Sequence, residues 1–226
     1  MFARGIEWLA WCPQRGNEDA DEMADAAREA HIKVIEMSQG AFKALSDTPT
    51  PQGIAAVMRI EPVALADLVV EKWTTLLVLH DLRDPGNVGT MIRSADAFGA
   101  NGIILTGSCV DPYDPKVVRS TAGSLFHLPV VEADWSQVVS WAGDRSVKLY
   151  ATDVDGQHTV GAVGIPRRVA FVVGNEAHGL PDEVLQQVDY TVRIPLPGRA
   201  ESLNAGVAAG VVLYEADRQK REQQSA

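Results

Sequence analysis

The chain has 226 residues, of which 46% are hydrophobic, so it is long enough for one large domain or for a small domain and a medium one. Its formal net charge is −10, its two cysteines, Cys12 and Cys109, lie far apart, and no apolar run approaches the roughly 18 residues that span a membrane. These features argue against a membrane-spanning protein, a disulfide framework and a zinc site, and they predict a cytoplasmic globular protein with two free thiols.

The acidic net charge, taken alone, is an argument against a nucleic-acid partner, because phosphate contacts require Lys and Arg. The charge is shared evenly, with −5 in residues 1–72 and −5 in residues 73–226. Several arginines in or beside turns could nevertheless form a local basic surface, namely Arg83, Arg93, Arg119, Arg193 and Arg199. Net charge therefore leaves a nucleic-acid partner open.

The first sixty residues predict a small α/β unit. Its strands are expected over 6–11, 32–36 and 53–59, and its helices over 18–30 and from Ser38 to Leu45. The buried side of the first helix is expected to hold Met23, Ala26, Ala27 and Ala30. Glu61 and Pro62 break the pattern, and the apolar segment 63–72 connects to a second domain that is predicted to begin near Trp73.

From residue 73 onward the strand and helix patterns alternate, which predicts a parallel sheet with helices on both faces. The predicted strands lie at 76–80, 102–106, 128–132, 147–151, 169–173 and 192–194. The predicted helices lie at 87–98, near 115–122, at 135–142, from Pro181 and from Ser202.

Three segments that follow strands are rich in Gly, Pro, Asn and charge, and they cover residues 81–100, 173–183 and 194–204. The carboxyl ends of strands are where open α/β sheets bind ligands, so a site is predicted at this edge. The usual dinucleotide, P-loop, hydrolase and zinc-protease motifs are absent, so neither a metal nor a hydrolase triad is expected.

Within these segments, Asn87 is predicted to cap a helix, and Ser202 is predicted to cap the last helix. Arg93 lies six residues after Asn87, and both side chains are expected to point toward one bound anion at the N-terminal end of their helix. Each residue also has an ordinary interpretation. Arg93 alone could be an exposed helix charge, Glu176 a solvated loop carboxylate, and the small residues of the last helix a means of packing against a sheet.

Together the segments resemble one family. They read PGNVGTMIRSADAFGANGIIL followed by RSTAGSLFHLPV, then VVGNEAHGL, then IPLPGRAESLNAGVAAGVVLYEA, and they cover nearly all of 73–226. They are similar to the SpoU, or TrmH-type, RNA ribose 2′-O-methyltransferases of the SPOUT superfamily. The resemblance implies S-adenosylmethionine as cofactor and an RNA ribose hydroxyl as acceptor, in 23S rRNA or, as the alternative, in tRNA.

The resemblance also implies functional residues. The catalytic or substrate-positioning set is Asn87, Arg93, Glu176, Ser202 and Asn204. The cofactor is expected on the backbone of Gly174, Ile194 and Leu203, with Thr152, Val173 and Leu196 beside it. Since a guanidinium stays charged at any ordinary pH, we expect Arg93 to clamp a phosphate rather than act as a base.

At the level of the whole molecule, the resemblance implies a C-terminal trefoil knot and a homodimer with the active site near the subunit interface. The small residues of the last helix would then pack across the two-fold axis. Residues 1–60 would form an L30e-like RNA-binding domain, apparently truncated, 61–72 a linker, and 73–226 the methyltransferase domain. A non-catalytic knotted protein that binds RNA or cofactor, and a methyltransferase acting on a base, remain alternatives.

Overall fold

The computed structural model describes residues 5–13, 17–46, 48 and 50–225. The chain divides into two compact units, Met1–Glu61 and Pro62–Ala226. No helix in the described part of the chain is long and apolar enough to cross a membrane.

The N-terminal unit has the β-α-β-α-β layout that the sequence predicts. Its elements are β1 (Ile6–Trp11), α1 (Glu18–Glu29), β2 (Lys33–Glu36), α2 (Gln39–Leu45) and β3 (Ile54–Met58). The central strand, β1, pairs in parallel with β2 and antiparallel with β3.

The predicted buried face of α1 is wrong in part. Ala20, Ala24 and Ala27 are buried, whereas Met23, which is 50% exposed, Ala26 and Ala30 lie on the exposed side. Alanines spaced four and three residues apart form one stripe of an α-helix, and their small side chains let the helix lie close to the sheet.

The second unit is built on a seven-stranded sheet. Its strands are β4 (Thr74–His80), β5 (Gly102–Thr106), β6 (Val130–Glu132), β7 (Lys148–Thr152), β8 (His158–Thr159), β9 (Arg168–Val173) and β10 (Tyr190–Arg193). Its α-helices are α3 (Pro85–Ala97), α4 (Pro115–Thr121), α5 (Trp135–Arg145), α6 (Asp182–Leu185) and α7 (Ala205–Ser225). The strand order is β6-β5-β4-β9-β7-β10-β8, and neighbouring strands run parallel. The prediction of a mostly parallel α/β sheet is confirmed.

Helices cover both faces of this sheet, as predicted. Leu77 and Leu79 of β4 point to a core shared with α3, α4 and α7. Leu76 and Val78 point to a second core shared with α5 and α6. Successive side chains of a strand alternate between faces, so an apolar run such as β4 reports burial on both sides.

The last strand lies inside the sheet rather than at its edge. β10 is placed between β7 and β8, which come much earlier in the chain. The 153–167 segment, which joins β7 to β9 and contains β8, therefore passes beyond β10. This order is compatible with a threaded C-terminal segment, and the trefoil knot itself stays a prediction. β8 has only two residues, too few to produce a hydrophobic pattern in the sequence.

The small residues of α7 are used inside the chain. A Cβ added at Gly206 would lie 3.1 Å from Cγ2 of Thr90, and one added at Gly210 would lie 3.6 Å from Oγ of Ser94, so this stripe of α7 packs on α3. Ala209 is fully buried in the core. The close approach that Gly206 and Gly210 permit is between α7 and α3 of one chain, and packing of this helix across a two-fold axis stays a prediction.

Candidate functional site

Three of the loops at the carboxyl edge of the sheet are joined by hydrogen bonds between side chains. The amide nitrogen of Asn87 donates to Oε1 of Glu176 at 2.9 Å. The amide nitrogen of Asn204 donates to Oδ1 of Asn87 at 2.8 Å. The first of these bonds joins residues that lie 89 positions apart in the sequence, and the second joins residues that lie 117 positions apart. The chain of contacts fixes the loops after β4, β9 and β10 to one another.

The start of α7 sets the direction of this chain of hydrogen bonds. Oδ1 of Asn204 accepts from the backbone N–H groups of Gly206 at 2.9 Å and Val207 at 3.3 Å. A backbone N–H can only donate, so the amide oxygen of Asn204 must face the helix and its NH₂ must face Asn87. The NH₂ of Asn87 is then directed at Glu176, which accepts.

Both predicted helix caps are wrong by a few residues. Asp84, not Asn87, caps α3: its carboxylate accepts from the N–H of Asn87 at 2.7 Å, and Pro85 follows as the first helical residue. Asn204, not Ser202, caps α7. Asn87 is freed from capping, so its side chain can reach across to the other loops.

The loop that carries Glu176 is held by Asn175, which the sequence analysis missed. Nδ2 of Asn175 donates to the backbone oxygen of Asp81 at 2.9 Å, and Oδ1 accepts from the N–H of Ala177 at 2.9 Å. The loop closes so tightly that a Cβ at Gly174 would lie 2.5 Å from the backbone of Gly179. An Asn in a turn of this kind is a signal that the sequence does contain.

A cavity of about 680 Å³ lies beside these loops, in the size range of small-molecule sites. All six residues expected at a cofactor line it: Thr152, Val173, Gly174, Ile194, Leu196 and Leu203. Four of the five expected catalytic residues line it as well: Asn87, Glu176, Ser202 and Asn204. Asp153 and Asp155 also line it and were missed, although they follow β7 at the predicted edge.

The loop of residues 195–203, which contributes Leu196, Ser202 and Leu203 to the wall of the cavity, has free backbone groups. Within the described chain, none of their backbone N–H or C=O groups takes part in a hydrogen bond. Leu196 and Leu203 of this wall are half-buried. Such a wall offers donors, acceptors and apolar contacts to a bound molecule, and Pro195 and Pro197 restrict its conformations.

Arg93 is the expected site residue that the structure does not bring to the cavity. It lies on the exposed side of α3 and makes no hydrogen bond or ion pair with another described residue. Six residues along a helix correspond to about 9 Å and to a different face, which separates Arg93 from Asn87 on α3, and a shared anion stays a prediction. Among the described residues, no group of three or more His, Cys, Asp or Glu could hold a metal ion.

Residues 74–214 match the family described as the SpoU rRNA Methylase family, and residues 10–62 match the one described as RNA 2′-O ribose methyltransferase substrate binding. The chain belongs to the SpoU rRNA methylase family. It is 36% identical over 186 residues to the 23S rRNA (guanosine(2553)-2′-O)-methyltransferase RlmP of Bacillus subtilis, covering 82% of this chain and 73% of that protein.

Solved structures agree with this assignment. The SpoU methyltransferase AviRb from Streptomyces viridochromogenes, in complex with AdoMet, matches with a TM-score of 0.87 and 33% identity, over 97% of this chain and 84% of that one. A protein solved in a study of 2-OH methylation of C/U34 on tRNA matches with a TM-score of 0.62 and 28% identity. That match covers 67% of this chain but 99% of the other.

Proposed function

We propose that the chain transfers a methyl group from S-adenosylmethionine to a ribose 2′-hydroxyl of 23S ribosomal RNA. The hydrogen-bonded chain formed by Asn204, Asn87 and Glu176 beside the cavity is the observation that carries this proposal. A relative named as a 23S rRNA 2′-O-methyltransferase and a structural neighbour in complex with AdoMet support the choice of substrate and cofactor.

The residues of the cavity suit S-adenosylmethionine. The free backbone groups of the 195–203 wall can recognise the polar groups of the cofactor, with Ile194 and Gly174 beside them. The side chains of Thr152, Val173 and Leu196 supply apolar contacts in the walls of the cavity, and Thr152 adds a hydroxyl group. When bound, the cofactor supplies a methyl group made electrophilic by its sulfonium.

The loop residues would position the acceptor hydroxyl. Only Oε1 of Glu176 is engaged by Asn87, so the other carboxylate oxygen is free to accept a hydrogen bond from a hydroxyl. Asn87 and Asn204 hold this carboxylate in place from the start of α7, and Ser202 stands on the adjoining wall. Fixing donor and acceptor in register is the main contribution that a protein makes to such a transfer.

Arg93 is proposed to act in a homodimer. Its absence from the cavity of its own chain, together with its exposure on α3, suits a guanidinium that reaches the site of a second copy and binds a phosphate of the RNA there. Exposed apolar side chains on α7, Val207 and Tyr214, offer a surface for that copy.

The N-terminal unit favours rRNA over tRNA as the substrate. Residues 10–62 match a substrate-binding family of RNA ribose methyltransferases. We therefore propose that residues 1–60 form a domain that binds the RNA. The structure from the tRNA study is matched over 99% of its length by only 67% of this chain. That protein therefore has no room for a counterpart of the N-terminal unit.

The experiment is methyl transfer from isotope-labelled S-adenosylmethionine to 23S rRNA and to a tRNA pool, followed by alkaline hydrolysis. A 2′-O-methyl group removes the nucleophile that cleaves the adjacent phosphodiester, so label in alkali-resistant dinucleotides identifies the ribose as acceptor. We expect such label in 23S rRNA, and at least about tenfold less of it with Asn204→Ala. Label in mononucleotides would establish base methylation, label in tRNA alone would establish the tRNA alternative, and no label would favour a non-catalytic protein.

A further inference from the structure

The 153–167 segment lines part of the cavity, and its backbone forms hydrogen bonds with β10. Asp153 and Asp155 at its start line the cavity. The N–H of Asp153 donates to the oxygen of Val192 at 3.0 Å, and the N–H of Val160 donates to the oxygen of Arg193 at 3.0 Å. The start of this segment therefore belongs to one wall of the cavity, and its backbone is joined to β10 on both sides of β8.

The middle of this segment is a turn that contains two glycines, in which the N–H groups of Ala162 and Val163 both donate to the oxygen of Thr159, at 2.9 and 3.0 Å. Its sequence is Val160-Gly161-Ala162-Val163-Gly164, and neither glycine has a neighbour within 4 Å of an added Cβ. Glycine loses more conformational freedom on ordering than any other residue, so two glycines make such a turn costly to order. The turn leaves the oxygen of Val163 and the N–H of Ile165 unpaired with other described backbone groups, so these two groups are fixed from outside it.

Gln219 of α7 provides that fixation with both ends of its amide. Its Oε1 accepts from the N–H of Ile165 at 2.9 Å, and its Nε2 donates to the oxygen of Val163 at 3.1 Å. The same Nε2 donates to Oε1 of Glu215 at 2.8 Å, which orients the amide. The donor and the acceptor of one side chain thus hold two backbone groups of the segment, 54 and 56 positions away in sequence.

Two further contacts hold the same short stretch. Nε2 of Gln223, one turn further along α7, donates to the oxygen of Ile165 at 3.3 Å. The hydroxyl of Tyr150 donates to the oxygen of Gly164 at 3.0 Å. Burial raises the pKa of Tyr150 to about 12, so this hydroxyl remains a donor at neutral pH.

We propose that Gln219 is a positioning residue for the cofactor cavity, acting by fixing the backbone of Val163 and Ile165 so that the 153–167 segment keeps its path beside β10. The inference rests on the proposed function, since the cavity it shapes is the one assigned to S-adenosylmethionine. Gln219 lies beyond residues 74–214, the part that matches the SpoU rRNA methylase family.

The test is Gln219→Glu, which preserves the shape of the side chain and the acceptor for the N–H of Ile165. It removes the donor and turns a carboxylate toward the oxygen of Val163 and the carboxylate of Glu215. Gln224→Glu is the matched control, because Gln224 lies on the same helix, is exposed and makes no hydrogen bond to a described residue. Gln219→Met, which removes both hydrogen bonds without adding charge, is the second variant.

For Gln219→Glu and Gln219→Met we expect faster hydrogen exchange of the 160–167 amides. The dissociation constant of S-adenosylhomocysteine and the KM for S-adenosylmethionine should rise about three- to tenfold, the effect of one or two lost hydrogen bonds, with kcat little changed. Gln224→Glu should match the wild type in each measurement.

The outcomes separate this inference from the function on which it rests. If wild-type protein binds no S-adenosylhomocysteine in calorimetry, the proposed function is overturned. If the wild type binds and both Gln219 variants bind equally well, the positioning role is overturned. It is also overturned if Gln224→Glu weakens binding as much as Gln219→Glu does, or if binding weakens while exchange of the 160–167 amides stays unchanged.

Discussion

At the scale of single residues, Asn204 combines two tasks that can be separated by mutation. Its oxygen caps α7 by accepting from Gly206 and Val207, and its nitrogen donates to Asn87. The sequence identified Asn204 as a site residue through its family motif, but it placed the cap at Ser202, because the two residues are both good caps and only the fold decides between them.

We predict that Asn204→Asp retains the cap and loses the donor. The carboxylate can accept from both N–H groups of the helix, so the free energy of unfolding should stay within about 0.5 kcal/mol of the wild type, whereas Asn204→Ala should lose about 1 kcal/mol. Methyl transfer should fall about tenfold or more in both variants, because neither donates to Asn87. Urea unfolding and transfer rates check this, and wild-type transfer by Asn204→Asp would contradict it.

The sequence could not predict which site residues contact one another, and the reason is physical. A motif states which residues occur together, but not which of them share a cavity in one chain. Arg93 and Asn87 belong to the same motif, yet α3 turns them to different sides. The turn pattern marks Asn175, but its contact with the backbone oxygen of Asp81, 94 positions away in sequence, is one that no local pattern reveals.

At the scale of elements, the packing of α3 against α4 depends on one glycine. A Cβ at Gly89 would lie 2.3 Å from Cβ of Ser120 and 3.0 Å from the backbone oxygen of Val117. Gly89 thus sets how closely the two helices approach, and with it the position of the loop that carries Asn87. In the sequence Gly89 is only a helix-weakening residue within a motif.

Gly89→Ala is therefore expected to destabilise the protein by about 1–3 kcal/mol, because the two helices must separate. Gly143→Ala in α5 is the matched control: no atom lies within 4 Å of its added Cβ, so the higher helix propensity of alanine should stabilise by about 0.5–1 kcal/mol. Chemical denaturation of both variants gives the comparison, and equal signs for the two changes would refute the argument from packing.

A second prediction at this scale concerns Glu215 on α7. Hydrogen bonding from Arg218 lowers the pKa of Glu215, with a smaller contribution from Gln219. A carboxyl whose pKa is lowered by folding stabilises the fold above its unfolded pKa, and this contribution is lost as the pH falls through the folded pKa.

Glu215→Gln should accordingly lower the free energy of unfolding by about 0.5 kcal/mol at pH 7, the size of an ion pair within one helix. The difference from the wild type should shrink as the pH is lowered through about 4.5, where a free Glu is half protonated, toward the lower pKa of the folded state. Glu201→Gln, at an exposed carboxylate without a hydrogen bond to a described residue, should have no such effect. A difference for Glu215→Gln that grows toward low pH would show that the sign is wrong.

At the scale of the whole molecule, hydrophobic patterns predicted the layers but not the strand order. Apolar runs such as β4 and β9 identify strands buried on both faces, and the alternation of strands and helices identifies a parallel sheet. These patterns do not predict that β10 lies between β7 and β8. The position of β10 depends on the path that the 153–167 segment takes relative to the C-terminal segment, and a hydrophobic pattern carries no information about that path. Only the family resemblance suggested an unusual path.

The proposed homodimer can be tested on the exposed side of α7. Val207 is 50% exposed although its neighbours pack against α3, so Val207→Asp should place a charge in the interface and yield a monomer in light scattering. Val69→Asp is the control, since this valine is 67% exposed and lies outside α7. A wild-type monomer, or a dimer that survives Val207→Asp, would mean that the interface does not lie at this position.

The final prediction concerns Arg93 and follows from its absence from the cavity of its own chain. If Arg93 serves the site of the second copy, then Arg93→Ala and Asn204→Ala each inactivate both sites of a homodimer. A mixed dimer instead has one site with both defects and one with none. Unfolding the two variants together and refolding them should restore about one quarter of wild-type transfer, since half of the dimers are mixed and half of their sites are intact. Adding Val207→Asp to both chains should abolish the recovery. If the mixture stays inactive although mass spectrometry detects mixed dimers, Arg93 acts within its own chain.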